Sequence, residues 1–100
     1  MSDYTGQIVR ASAGRDRDGI FCVVGMEQDG QRLLLADGKR RKVSRPKAKK
    51  PGHVIYLTDS QTVYDHPVVR SLQAGEPVSD RALRRALAAF KEEGITLGER

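Results

Sequence analysis

The first half of the chain alternates short apolar runs with turn-forming residues, a pattern typical of short β-strands. Residues 5–12 predict a first strand, and the continuous apolar run of residues 20–26 (Ile-Phe-Cys-Val-Val-Gly-Met) predicts a largely buried second strand. Residues 33–35 belong to a third strand, and residues 53–57 (His-Val-Ile-Tyr-Leu) belong to a last one. Residues 13–19 predict a loop, because glycine permits positive φ and Asp side chains bond nearby backbone amides.

The dipeptides Asp29-Gly30 and Asp37-Gly38 predict two-residue hairpin turns, because a type I′ turn needs positive φ at both central positions and Asp-Gly supplies it. Three strands would then form a meander, and the second turn predicts a fourth strand that follows Gly38 directly. The cross-strand pairs would be Leu35 with Arg40, Leu34 with Arg41, and Leu33 with Lys42. Strand alternation then places Lys39 and Arg41 on the face of Val43, and Arg40 with Lys42 on the other face.

Pro46 and Pro51 lack the N–H group that a sheet ladder needs, so residues 47–50 are predicted to form an extended loop between them. About five short strands within ~55 residues indicate a small closed or half-closed barrel. We therefore expect a mainly β fold, with a barrel domain over residues 1–58 and an α-helical C-terminal extension over residues 59–100.

After Thr58 the apolar residues recur at helical rather than strand spacing. Residues 66–75 predict a short helix that begins at a proline and ends at a glycine. A second helix is predicted from the N-cap Ser79 to Gly94, with an apolar stripe formed by Leu83, Ala86, Leu87 and Phe90. We expect this stripe to dock on the barrel through Leu83, Leu87 and Phe90, although a partner protein could also use it.

The opposite face of the second helix is basic and carries Arg81, Arg84, Arg85 and Lys91. Two interpretations stay open for this face. It is either a solvated helix surface or a second phosphate-binding surface.

The positive charge of the chain is concentrated in one segment. The 100 residues contain 18 Lys and Arg against 13 Asp and Glu, and eight of these cations and no acid lie between Lys39 and Lys50. Subtracting the eight leaves ten cations against thirteen acids, a net charge of −3 elsewhere. A basic segment on a slightly acidic body forms a patch that attracts polyanions, whereas the alternative is a solvated basic linker.

The sequence offers no site for catalysis or for a cofactor. Cys22, the one cysteine, lies in an apolar run and is expected to be a buried structural residue. There is no nucleophile with a base, no phosphate loop and no cluster with metal spacing, so we expect no enzyme, no metal and no small-molecule substrate. No window approaches the ~20 apolar residues of a membrane span, and the N-terminus lacks a signal-peptide pattern. These features are typical of a cytoplasmic protein.

Residues 6–25 (Gly-Gln-Ile-Val-Arg-Ala-Ser-Ala-Gly-Arg-Asp-Arg-Asp-Gly-Ile-Phe-Cys-Val-Val-Gly) resemble a KOW motif. In that family the motif is a strand, a basic glycine loop and a second strand within an SH3-like barrel that binds RNA. The segment 36–50 that follows is similar to the same region of bacterial KOW-domain RNA-binding proteins, which are related to large-subunit ribosomal proteins of archaea and eukaryotes. The resemblance covers residues 4–57, and the Ala-Leu-Arg-Arg-Ala-Leu of the second helix resembles a helical tail of the bacterial members.

The resemblance implies an RNA-binding, ribosome-associated protein of translation, with ribosomal RNA or the ribosome as partner. Gly14 and Gly19 match the glycines of the motif, and Arg15 and Arg17 match its basic loop positions. The acids Asp16 and Asp18 are expected to weaken the field of that loop. The remaining candidate RNA-binding residues are Lys39, Arg40, Arg41, Lys42, Arg45, Lys47, Lys49 and Lys50.

Few aromatic residues are left to stack on bases, because Phe21 and Phe90 occupy predicted core positions. Lys and Arg instead position a protein on phosphates, so contact with the backbone of structured RNA is the expected mechanism. Two other functions stay open: a protein-interaction module that uses the barrel groove or the C-terminal helix, and non-specific DNA binding.

Overall fold

A computed structural model of the chain describes residues 4–58 and 64–98, with side chains as far as residue 92. The elements in chain order are β1 (Ile8–Ala11), β2 (Ile20–Met26), β3 (Leu33–Ala36), β4 (Lys47–Lys49), a 3-10 turn (Pro51–His53), β5 (Val54–Tyr56), α1 (Pro67–Gln73) and α2 (Asp80–Gly98). The strands form one antiparallel sheet in the order β4-β3-β2-β1-β5. The predicted mainly β fold of five strands with C-terminal helices is confirmed. The start of the predicted extension, residues 59–63, lies outside the described residues.

The sheet buries side chains on both of its faces. On one face Val9, Phe21 and Leu35 belong to a cluster of buried apolar residues that comes from the strands alone. On the other face Ile8, Cys22 and Ala36 pack with Leu72 of α1 and with Leu83 and Leu87 of α2. Because β2 contributes to both clusters, its apolar run is continuous rather than alternating.

The apolar stripe of α2 docks on the sheet, as predicted. Leu83 and Leu87 are 1% and 3% exposed, whereas Phe90 lies at the margin of the cluster and is only partly buried. The Phe90 ring packs edge-on against Tyr64, with the ring centroids 5.1 Å apart. Leu83 and Leu87 therefore contribute most of the buried contact between α2 and the sheet.

Cys22 is fully buried between the sheet and the helices, which confirms its predicted place in the core. Burial raises the pKa of its thiol to about 12. The thiol is therefore protonated at neutral pH. Because the thiolate is the nucleophilic form of cysteine, Cys22 does not act as a nucleophile at this pH.

The predicted fourth strand is wrong in position. Residues 37–46 form a long loop, so Lys39, Arg40, Arg41 and Lys42 do not alternate between the faces of a strand. The partner of β3 is β4, in the register Leu33 with Lys49, Leu34 with Ala48 and Leu35 with Lys47. The segment predicted as an extended loop between prolines is thus an edge strand, and Pro46 and Pro51 lie just outside it, where no ladder hydrogen bond is lost.

Both Asp-Gly turns differ from the predicted type. Gly30 and Gly38 have positive φ, but Asp18 is the only non-glycine residue with positive φ in the part of the chain that the structure describes. Asp29 and Asp37 instead accept hydrogen bonds from amides that follow them, at 3.0 Å from Gln31 N and 2.9 Å from Lys39 N. The Asp29-Gly30 hairpin between β2 and β3 is confirmed, whereas Asp37-Gly38 opens the long loop.

The helices begin as predicted, but α2 ends later. Pro67 lies in the first turn of α1, and the Ser79 hydroxyl accepts a hydrogen bond of 3.1 Å from Ala82 N at the start of α2. The backbone helix of α2 continues through Gly94 to Gly98. A single glycine costs a helix only about 1 kcal/mol, which does not suffice to end it.

Candidate nucleic-acid interface

The glycine loop, residues 13–19, closes on itself at the end of β1. Asp18 N donates to Ala11 O at 2.8 Å, and Ala11 N donates to Gly19 O at 3.0 Å. Gly14 has a φ of 83°, a left-handed backbone conformation that favours glycine. Gly19 is needed for a different reason, because a side chain there would meet the Phe21 ring within 2.7 Å.

Asp16, at the centre of the glycine loop, forms an ion pair with Arg41 of the basic segment, residues 39–50. Arg41 Nη2 lies 2.8 Å from Asp16 Oδ2, and Arg41 Nε lies 3.3 Å from Asp16 Oδ1. Asp16 is only 6% exposed, and the hydrogen bond from Arg41 holds the pKa of its carboxyl below the usual value. Asp16 therefore stays ionised and is paired with Arg41, whereas Arg15 and Arg17 beside it in the chain are exposed.

Lys49 makes a second bridge between the basic segment and the glycine loop. Its Nζ donates to Ala13 O at 2.9 Å, and the side chain is 9% exposed. The ammonium also lies close to Gly14, where an added Cβ would be 3.3 Å from Nζ. Lys49 pairs with Leu33 across the β3–β4 ladder, so the two side chains lie on the same face of the sheet. From that face the Lys49 ammonium donates to the Ala13 carbonyl.

The other predicted RNA-binding side chains are exposed. They are Arg15, Arg17, Lys39, Arg40, Lys42, Arg45, Lys47 and Lys50, which we call the basic surface. Arg15 and Arg17 flank Asp16 in the chain, and Arg40 and Lys42 flank Arg41, so the ion pair brings these four cations together. Lys47 lies near the same pair, since its charge contributes to lowering the pKa of Asp16. Asp18, which follows Arg17 in the chain, is an exposed acid next to these cations.

The long loop that carries Lys39 to Arg45 is held by hydrogen bonds at several points. Asp37 Oδ1 accepts from Lys39 N and from Arg41 N, both at 2.9 Å. Asp80 Oδ1, in the first turn of α2, accepts from Val43 N at 2.7 Å. Arg84 Nη1, one turn later, donates to Gly38 O at 2.7 Å. The basic segment is therefore fixed against the helix and is not a free linker.

Sequence reasoning missed the structural roles of Asp16, Asp80 and Arg84, because each depends on a partner that is distant along the chain. A weak signal was present for Asp16: a loop that alternates Arg and Asp next to an acid-free basic segment offers a carboxylate to that segment. Tyr4 and Tyr56 were also not recognised as a pair. Their rings are partly exposed and lie 5.2 Å apart.

Replacing Asp16 with Asn is expected to lower the free energy of unfolding by about 2 kcal/mol, because the charged hydrogen bonds of Arg41 lose their carboxylate. Folding lowers the pKa of Asp16 from its ordinary 3.8. This contribution is therefore complete above pH 3.8 and disappears as the pH falls through the lower folded-state pKa. Urea unfolding of both proteins at neutral and acidic pH measures the difference. Asp18→Asn, at the exposed neighbour, is the matched control, and an equal loss in both variants would contradict the role of the ion pair.

No protein-family model matches the sequence, and no curated protein matches it either. Within the described ranges, no helix is long and apolar enough to cross a membrane. The same ranges hold no group of three or more His, Cys, Asp or Glu side chains placed to bind a metal ion. The assignment of this interface therefore rests on its geometry and charge.

Proposed function

We propose that the chain binds structured RNA by contacting the phosphate backbone with its basic surface. The observation that carries the proposal is the ion pair between Asp16 and Arg41. It joins two cationic stretches that lie 25 residues apart along the chain, and it pairs the acid that lies between Arg15 and Arg17 with a guanidinium. Arg15 and Arg17 flank one member of the pair in the chain, Arg40 and Lys42 flank the other, and all four are exposed, which supports a shared phosphate-contacting surface.

The aromatic side chains favour contact with phosphates over stacking on splayed bases. Phe21 is buried, and Phe90 and Tyr64, which are both partly buried, pack edge-on against each other. Tyr4 and Tyr56 pack on each other at the surface, so part of their ring area is already covered. Proteins that read single strands place several open rings along a basic groove. A basic surface with few open rings fits double-helical RNA, which is recognised by shape and backbone.

The resemblance to KOW-domain proteins favours ribosomal RNA as the partner and a role in translation. The protein then acts in the cytoplasm as a binding module and not as an enzyme. The buried, protonated thiol of Cys22 is consistent with this, because it leaves the one cysteine without a catalytic form. The apolar stripe of α2 does not favour a partner protein, since Leu83 and Leu87 are buried in the core of this molecule.

A salt titration tests the proposal directly. If about five cations lie on phosphates at once, the slope of log K against log salt is roughly −4 for a structured ribosomal RNA fragment. The affinity should be insensitive to the sequence of the RNA helix, because phosphate contacts carry no base information. Duplex DNA of equal length serves as competitor. An affinity that does not change with salt would exclude this function, and equal competition by DNA would assign the surface to nucleic acid in general.

A further inference from the structure

We propose that the arginine face of α2 belongs to the same RNA-binding surface and extends the phosphate contact along the helix. This inference rests on the proposed function and adds Arg81 and Arg85 to it, with Arg84 as the residue that joins the two parts. It decides between the two interpretations that the sequence leaves open for this face. Neither the glycine loop nor the basic segment includes these residues.

The long loop and the first turns of α2 are in direct contact. Arg84 Nη1 donates to Gly38 O at 2.7 Å, and an added Cβ on Gly38 would lie 3.0 Å from Arg84 Cγ and collide with the backbone of Asp80. Lys39 and Arg40 follow Gly38 immediately and are exposed. The exposed cations of the loop and those of the helix therefore adjoin each other across this contact.

The arginines of α2 share one side of the helix. Arg81, Arg84 and Arg85 stand at i, i+3 and i+4, where side chains are neighbours about 5–6 Å apart. All three are exposed, although Arg84 and Arg85 are next to the buried residues Leu83 and Ala86 of the docking stripe. A helix whose apolar stripe is docked presents its other face to solvent, and over residues 81–85 that face is cationic.

One acid, Asp80, adjoins this face at the start of the helix. Asp80 precedes Arg81, but its Oδ1 accepts the hydrogen bond from Val43 N at 2.7 Å. Arg84 keeps further N–H donors after its bond to Gly38 O, because a guanidinium carries five. A planar donor of this kind matches the oxygens of a phosphate group. The helix face is therefore ready to bind a polyanion without breaking the bonds that hold the loop.

The expected partner of this extension is the phosphate backbone of the same RNA molecule. The cations then form two rows that meet at Gly38. One row is the basic surface on the glycine loop and basic segment, and the other is the arginine face of α2. A flexible single strand needs only one row, whereas a folded RNA presents phosphates of two strands or two helices at once. We therefore expect the α2 arginines to contribute more to binding of a folded RNA than to binding of a single strand.

The test is the double variant Arg81→Gln with Arg85→Gln in the whole chain, measured with a hairpin ribosomal RNA fragment and with an unstructured RNA of equal length. Arg84 is left in place because it holds Gly38. Loss of two phosphate contacts is expected to reduce the magnitude of the salt slope by about 1.4–1.8, which lowers the affinity for the hairpin roughly 25- to 60-fold at 0.1 M salt. The affinity for the unstructured RNA should fall less.

The matched control is Arg32→Gln with Arg70→Gln, which removes the same charge from the β2–β3 turn and from α1. A double variant of α2 that binds the hairpin as the control does, while wild type keeps its steep salt slope, would overturn this inference and leave the proposed function intact. A wild-type slope near zero would overturn both. Thermal unfolding of the α2 variant is expected to match that of the control.

Discussion

The triple variant Lys42→Gln, Arg45→Gln, Lys47→Gln is expected to lose roughly two orders of magnitude in affinity for structured RNA at 0.1 M salt. Each phosphate contact contributes about 0.7–0.9 to the magnitude of the salt slope, so the slope should become shallower by about two to three. The three side chains are exposed, and the structure assigns them no role in holding the glycine loop. Lys49 is left unchanged because its Nζ bonds to Ala13 O.

The control for this variant removes the same charge from other surfaces. Arg10, Arg32 and Arg70 are exposed cations on β1, the β2–β3 turn and α1, and their joint replacement by Gln lowers the net charge equally. Filter binding or fluorescence anisotropy at several salt concentrations compares the two triple variants. If both lose the same affinity, the protein binds RNA through its net charge only, and the basic surface has no special part.

Leu83→Ala is expected to lower the free energy of unfolding by about 3 kcal/mol. Its side chain is 1% exposed and fills the cluster between α2 and the sheet, beside Ile8 and Cys22. A buried Leu→Ala change leaves a cavity as well as removing apolar contact, and such changes cost about 2–5 kcal/mol. For a chain of this length the loss lowers the midpoint of thermal unfolding by roughly 10–20 °C.

Calorimetry or circular dichroism measures this shift. Ile55→Ala is the control, since Ile55 is a comparable aliphatic side chain on β5 that is 43% exposed, and its loss is expected to cost less than about 1 kcal/mol. Equal shifts for the two variants would contradict the assignment of α2 to the core. The sequence pointed to Phe90 as well, but its partial burial makes Leu83 the sharper test.

The parts of the fold that follow from local pattern could be predicted from the sequence. Periodicity and capping are informative where a feature depends on neighbours along the chain. Three such features are the apolar run of β2, the Ser79 cap and the spacing of Leu83 and Leu87. The burial of Cys22 follows from the same run. The structure confirms the β-rich sheet and the docked helix that these features predict.

The fourth strand could not be predicted, because its position depends on contacts between distant residues. Asp37-Gly38 carries a strong hairpin signal, but the Asp37 carboxylate bonds to Lys39 N and Arg41 N and closes a wider loop. Gly38 then lies against the first turns of α2, more than forty positions later in the chain. Pro46 and Pro51 suggest that strand pairing ends there, although a proline just outside an edge strand removes no ladder bond.

Charge and resemblance name the ten cations of the candidate site but say nothing of their geometry. Arg41 and Lys49, two of the ten, hold the glycine loop in place. A charge pattern does not reveal which cationic side chains turn inward. The direction of each side chain depends on whether a residue distant in the chain offers it a carboxylate or a carbonyl group. Asp16 and Ala13 supply those two partners.

The hydrogen bonds that hold residues 37–46 also determine what happens when a ligand arrives. Arginine-rich segments that are disordered in isolation must become ordered on RNA, and the ordering entropy reduces their affinity. Here Asp37, Asp80 and Arg84 have already fixed the backbone during folding. Binding should therefore be close to rigid docking, with only a small change in heat capacity. Under the proposed function, a change that loosens α2 is expected to release the loop, so that RNA binding then includes the cost of ordering it.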